Sequence, residues 1–498
     1  MSARSLRGSR NIVGPVGACS GAVMAVLCLA PCAGPVSPRP AEPPVQRYLP
    51  PAEQAPSLPP DSGQRLMPGT EGPREWWREF HSPELDQMVE AAQRANPSLA
   101  AAQAALRQAS EDARAQRAVF WPTIGFGATA SRNRDALQVV QGALQSGAPV
   151  YTLYNTQATV SFLPDLFGAN RRLVESATAS AEMAAWQRDA TWLSLTGNVV
   201  TAALQIAGIA ARIDATQQLL QVQQQELDLQ RRSESLGAVD GTTVLAQASA
   251  LASTAALLPP LRLQLEQTRH WLSVLTGRYP QDPWPEDALV LDRLALPATI
   301  PIGVPAALIE RRPDIRAAEA ALHVATAQVG IATAALLPQV GITGDIGSTA
   351  TSMGGLFLSG TGFWSGAASL SQVLFDAGAA RHRRRAALAA LDQAGAQYRM
   401  AVLSAYQNVA DSLRALSAAA DSQVQGEAAV QAARRSLAIV QRQSDLGAES
   451  GFALIEAQKA WYQAQAGLAA ARAQRLTATA ALYQSLGGGS PVRPGSAH

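Results

Sequence analysis

The only cysteines in this 498-residue chain are Cys19, Cys28 and Cys32, all within the first thirty-two positions, so sulfur chemistry is confined to its beginning. Arg4, Arg7 and Arg10 precede an apolar run from Ala22 to Ala30 that is too short to span a bilayer as a helix, and this pattern reads as an export signal over 1–31. Leu29-Ala30-Pro31-Cys32 then places a leucine three positions before a cysteine at the end of the run, the spacing of a lipid-attachment site. Pro31 departs from the small residue usual at that position, which leaves acylation of Cys32 and simple cleavage of the signal as the two readings. Cys19 follows a better tetrad, Val16-Gly17-Ala18, but the apolar run lies after it. In either case the body of the chain holds no internal disulfide.

The second group of candidates is a pair of matched turns. Leu236-Gly237-Ala238-Val239-Asp240-Gly241 and Leu446-Gly447-Ala448-Glu449-Ser450-Gly451, the latter preceded by Asp445, each interrupt a long stretch nearly free of glycine and proline. Glycine lets a chain reverse or approach a neighbour closely. The acidic side chains Asp240, Asp445 and Glu449, if repeated about a symmetry axis, would form a ring favouring cations at a constriction. The same composition also serves a plain helical reversal. Nothing else suggests reactivity. The five histidines are scattered, and no glycine-rich loop joins a strand to a helix, so metal, nucleophilic and phosphate chemistry lack their usual ligands, and no cofactor is expected. A net charge of +2 gives no basic face for nucleic acid, and the densest basic run, Arg381 to Arg385, lies in a helical stretch and reads as a solvated face.

The elements that position these turns follow from an internal repeat. NPSLAAAQAALRQA from Asn96 aligns with RPDIRAAEAALHVA from Arg312, and the register holds through Phe120-Trp121-Pro122-Thr123-Ile124-Gly125 and Leu336-Leu337-Pro338-Gln339-Val340-Gly341. LGAVDGTTVL from Leu236 matches LGAESGFALI from Leu446. This divides the chain into a signal (1–31), an extended leader rich in proline (32–75), two repeats (76–300 and 301–488) and a flexible tail (489–498). Each repeat reads as helix, strand, strand, long helix, turn, helix. The first helix is expected from Pro83 to Val119 and from Pro305 to Ala335. Strands are expected at about 122–132 and 152–163, and at about 338–347 and 362–372, because apolar and polar residues alternate there. The two proline-free stretches that follow are about 67 residues each, on the order of 100 Å as straight helices. Val199, Ile206, Ile213, Leu220 and Leu227 recur at every seventh position, as do Val402, Val409 and Leu416, the seams of coiled coils. With aromatics at 5% and charged residues at 16%, the composition suits closely packed long helices better than a compact globule.

Four strands with one apolar face cannot close a barrel alone, and an open edge is not tolerated in lipid. Two copies would give eight strands and a filled interior. Three would give twelve and leave a lumen.

LIERRPDIRAAEAAL from Leu308 and VGIATAALLPQVGIT from Val329 resemble the signature of TolC-like outer-membrane efflux proteins. WWREFHSPELDQMV from Trp76, LPDLFGANRR from Leu163, LFDAG from Leu374 and ALYQSLGGG from Ala481 resemble the OprM-like, NodT-type lipoprotein branch, in the same order along the chain. The resemblance implies a mixed α/β membrane protein: a homotrimer with a twelve-stranded β-barrel in outer-membrane lipid, continued by a long α-helical barrel in the periplasm. It implies a passive, non-enzymatic channel of a tripartite efflux system of the resistance-nodulation-division type, coupled to an inner-membrane pump by a periplasmic adaptor. By the same resemblance, Leu236, Gly237, Asp240, Gly241, Asp445, Leu446, Gly447, Glu449 and Gly451 form the periplasmic tips that close the duct and meet the adaptor. An outer-membrane duct for type I protein secretion is the alternative. A lipid anchor and the WWREF leader favour efflux.

Overall fold

The structure is a computed structural model that describes residues 58–59, 63–69, 72–134, 150–285, 289–302 and 311–488. Cys32 and the tail 489–498 lie outside the described residues. Contacts divide the chain into two units, one built from 114–176 and 325–391, the other from the remainder of the described residues.

The first unit holds a four-stranded antiparallel sheet. Its strands are β2 (Thr123–Arg134), β3 (Val150–Phe162), β5 (Gln339–Ala350) and β6 (Gly362–Ser371), in the order β2-β3-β5-β6. The repeat explains this order. Each half contributes one antiparallel pair, and the halves join where Phe162 faces Ile342 and Tyr154 faces Ala350. Among the described residues, β2 and β6 each have one strand neighbour and present an open edge. The helices that follow are capped alike. Asp165 accepts from the backbone N–H of Asn170 and Arg171 at the start of α3 (Ala169–Ser235), at 3.1 and 2.9 Å. Asp376 does the same for Gly378 and Ala380 at the start of α7 (Ala379–Asp445), at 2.9 and 2.6 Å. These bonds hold the Asp376 carboxyl below its usual range, the Ala380 N–H contributing most.

The second unit is helical around a small aromatic centre. α1 (Pro83–Ala95) and α2 (Pro97–Arg117) replace the single helix expected from Pro83 to Val119. The break is chemical: Pro97 disfavours helical backbone at Asn96, whose side-chain oxygen caps the Ser98 and Leu99 N–H groups at 2.8 and 3.2 Å. Asn96 Nδ2 donates to Leu275 O, at the end of α5 (Leu258–Leu275), which follows α4 (Gly241–Ala255). In the second half the first helix is described as α6 (Pro313–Ala334).

α3 and α7 each run unbroken for 67 residues. Their heptad seams are buried at Val199, Ile206, Leu227, Val402, Val409 and Leu416, whereas Ile213 and Leu220 are half-buried. α3 packs so closely on α8 (Gly451–Ser485) that a Cβ at Gly208 would lie 2.3 Å from the Ala473 Cβ, so only glycine fits there.

Two features of the leader were not apparent from its composition. Arg65–Pro68 forms β1, paired in parallel with β4 (Thr299–Ile302), and Gln64 accepts from the fully buried Arg475 of α8 at 3.0 Å. Arg475 also donates to Gln423 Oε1 of α7 at 3.2 Å, so one guanidinium ties the leader to both helices of the second hairpin.

The WWREF segment is a turn of tighter helix, Trp76–Phe80, whose three aromatic rings are buried. Trp76 stacks on Tyr483 with ring centroids 5.5 Å apart and meets Phe80 edge-on at 6.4 Å. Removing the ring should therefore open a core cavity. Trp76→Ala is expected to cost about 3–5 kcal/mol, seen as a lower dissociation temperature of the assembled protein on semi-native gels, with Trp76→Phe close to wild type.

Candidate functional site: a two-faced sheet and two helical tips

The strand register sorts the side chains of the sheet onto two chemically distinct faces. On one, Ile124, Val160, Gly344 and Gly366 align across the four strands, followed by Phe126, Ala158, Ile346 and Trp364. Phe126, Ile346 and Trp364 are two-thirds or more exposed, an apolar surface that water alone would not favour. The other face aligns Gly125, Thr159, Asp345 and Ser365, then Gly127, Gln157, Gly347 and Phe363. Hydrogen bonds run along it. Asn155 Nδ2 donates to Gln157 Oε1 (2.8 Å), Gln157 Nε2 to Thr159 Oγ1 (3.4 Å), and Thr159 Oγ1 to Asp345 Oδ1 (2.7 Å). Ser365 Oγ donates to Asp345 Oδ2 at 3.1 Å. A carboxylate facing hydrocarbon would be costly, so this face belongs to water.

The tips lie in the other unit, and the structure gives both the same stop. Gly237 and Gly447 have φ of 73° and 72°, the left-handed region that favours glycine. At the first tip the N–H of Gly237 donates to Glu234 O and that of Ala238 to Ser233 O; at the second, Gly447 donates to Ser444 O and Ala448 to Gln443 O. These paired bonds are the common glycine-terminated helix end, which also closes α5 at Gly277. Backbone chemistry alone therefore accounts for Gly237 and Gly447.

It accounts for Asp240 as well. Its carboxylate caps α4 by accepting from Thr243 N (3.0 Å), Thr243 Oγ1 (2.6 Å) and Thr242 Oγ1 (2.8 Å), and the Thr243 hydroxyl leads in holding it below the usual carboxylate range. Ser450 caps α8 in the corresponding place. Asp445 accepts from Gln441 at 2.9 Å, and Asp445 and Glu449 are both exposed. Leu236 and Leu446, by contrast, stand 84% and 78% exposed with no capping role, the residues of the tips that the fold itself leaves unexplained. Gly241 and Gly451 open the returning helices, and Gly451 lies against Leu229 of α3, where an added Cβ would sit 3.7 Å from its side chain.

A polar cluster near the tips was missed in the sequence. Lys459 of α8, the only lysine in the chain, reaches Glu226 of α3 at 2.9 Å and Glu456 at 2.7 Å, while Gln247 of α4 donates to the same Glu226 oxygen at 2.6 Å. Burial pushes the Glu226 carboxyl up. Burial would lower Lys459, but its bonds to Glu456 and Glu226 hold it above its usual value. The cluster thus joins the two hairpins through a buried ion pair. Its signal was rarity: a lone lysine among forty basic residues.

Residues 88–278 and 304–488 match the family model described as outer membrane efflux protein. The chain belongs to the outer membrane efflux protein family. The two matched segments follow the two repeated halves, and the fold is TolC-like, with long helices and four antiparallel strands per chain. This family of trimeric channels is non-enzymatic, and the chain is an outer-membrane channel of an efflux pump.

Among curated relatives, the pyoverdine export outer membrane protein OpmQ of Pseudomonas putida is 31% identical over 458 residues, covering 91% of this chain and 95% of its own. The toluene efflux pump outer membrane protein TtgC, also of Pseudomonas putida, is 28% identical, covering 89% of this chain and 90% of its own. Among solved structures, the outer-membrane channel OprN matches with a TM-score of 0.78 and 28% identity over 91% of this chain and 99% of its own. The open state of the Neisseria gonorrhoeae MtrE channel matches with a TM-score of 0.72 and 28% identity, covering 82% of this chain and 89% of that one.

The cap at Asp240 gives the efflux protein a testable acid response. A carboxyl lowered in the folded state stabilises its helix above the unfolded value, and that contribution is lost as pH falls through the lower folded value. The first turn of α4 should therefore stay protected from hydrogen exchange at pH 5 and lose protection below about pH 4. Asp240→Ala should show the loss already at neutral pH, and Asp240→Ser should not.

Proposed function

We propose that the chain is the outer-membrane exit duct of a tripartite efflux system of the resistance-nodulation-division type, working as a homotrimer with a periplasmic adaptor and an inner-membrane pump. The observation that carries this reading is the sheet with one apolar and one hydrogen-bonded polar face and two open edges. Four strands per copy is an even number, so β6 of one copy can lie beside β2 of the next in the antiparallel sense all the way round. Three copies make twelve strands, with the Ile124, Phe126 and Trp364 face toward lipid and the Thr159, Asp345 and Ser365 face toward the lumen.

Solutes pass such a duct without bonding to it, so control lies at its mouth. In this reading the tips, Leu236 to Gly241 and Asp445 to Gly451, close the periplasmic end and open when the adaptor engages. The exposed Leu236 and Leu446 offer the adaptor apolar contact, while Gly237 and Gly447 keep the tip backbone uncovered. The open state solved for MtrE is consistent with a mouth that opens. The cargo is of the class its relatives' names describe, namely drugs or other toxic compounds such as toluene and antibiotics, or an exported compound such as pyoverdine.

Deletion of the gene in its native host should raise intracellular accumulation of a fluorescent efflux substrate several-fold, and plasmid-borne wild type should reverse it. Unchanged accumulation of small compounds together with loss of one secreted polypeptide would instead mean type I secretion.

We also infer that Cys32 carries a lipid anchor, supported by its place at the end of the apolar run. Mass analysis of the purified protein should find Cys32 as the first residue with acyl chains attached. An unmodified terminus beyond Cys32 would refute the anchor.

A further inference from the structure

Asp345 is the only Asp, Glu, His, Lys or Arg on the polar face of the described sheet; the other charged residues of the four strands, Arg132 and Arg134, alternate onto the opposite face at the far end of β2. We propose that Asp345 is a charge-selecting residue of the duct, three copies of which favour cationic solutes over anionic ones within the strand barrel, apart from anything the helical tips do. The proposal rests on the reading of the sheet as one third of a trimeric barrel.

Three observations carry it. First, the row across the sheet at this level is Gly125, Thr159, Asp345 and Ser365, so nothing larger than threonine stands beside the carboxylate in its own row. Second, the polar groups of the face are ordered toward it. Asn155 donates to Gln157, Gln157 to Thr159 and Thr159 to Asp345, so each donor dipole points along one line that ends on Oδ1, while Ser365 fixes Oδ2 from the other side. A carboxylate held by both oxygens stays at one height in the barrel rather than sweeping the lumen. Third, no lysine or arginine shares the face, so the field is not neutralised from within the sheet. The selected class is small organic cations and inorganic cations, with anions of the same size disfavoured.

The test exploits the absence of cysteine after Cys32. Ala367 lies on the same face, exposed, on β6 two residues from Ser365 and diagonal to Asp345. In the Ala367→Cys protein, assembled in outer membrane, the new thiol is reacted with cationic and anionic methanethiosulfonates of similar size. The cationic reagent should react faster, and Asp345→Asn should lower the cation-to-anion rate ratio roughly three-fold or more, given unit charges about 7 Å apart. Asp345→Glu should preserve it. In wild-type background, raising salt to about 1 M should collapse the ratio by shortening the screening length to about 3 Å, which tests the idea even if Asp345→Asn fails to assemble. A ratio unchanged by Asp345→Asn in the assembled protein, or unchanged by salt, overturns the proposal while leaving the duct intact. A thiol reached only by a membrane-permeant maleimide overturns the duct reading itself, because the face would then not line water.

Discussion

An unpaired strand edge cannot exist in hydrocarbon, where each free N–H or C=O costs several kcal/mol. Among the described residues this chain ends its sheet on two such edges, β2 and β6, and puts an apolar face beside them. Much else in the molecule can be read as a response to that constraint. Pairing edge to edge among copies supplies the missing bonds, and an even number of strands per copy lets every pair around the ring be antiparallel. The duplicated sequence supplies those strands two at a time, and the one β3–β5 junction is where the two halves meet.

The polar groups follow the same logic at smaller scale. On the sheet, hydroxyls and amides that would be orphaned in lipid satisfy one another along the water-facing side and converge on Asp345. In the helical unit, backbone groups left over at helix ends are met by Asp240, Ser450 and Asn96, and by the paired bonds at Gly237 and Gly447. Arg312 is part of this economy: it grips Asp314 through two bonds, at 3.0 and 2.6 Å, and donates to Ser485 O at the end of α8. Much of the RPDI signature is thus helix-end chemistry.

The large features were legible in the sequence because they are periodic. The repeat, the alternation at Ile124, Phe126 and Ala128, and the seams through Val199 and Val402 are patterns that one strand or one helix imposes on itself. The break at Asn96 is local too, written in the Asn-Pro pair, and only its tie to Leu275 is distant; the strand at Arg65 and the buried Arg475 were not legible in the same way, since each depends on a partner distant in the chain, Thr299 and Gln64. The tips lie between these cases. Their turn chemistry is local and readable. Whether Leu236 and Leu446 meet an adaptor depends on a surface this chain does not contain. The Glu226–Lys459 pair shows the same limit, because its members lie in different halves and no spacing links them.

Closure of the barrel requires that β2 of one copy pair with β6 of the next. Disulfide trapping tests it directly: a cysteine at Phe126 combined in turn with one at Trp364, Gly366, Ala368 or Leu370, all on the same face, oxidised in intact outer membranes. If β2 and β6 pair in this way, at least one pairing gives a ladder of covalent dimer and trimer that stops at three chains. No ladder at any register, or one that stops at two or runs past three, would contradict it.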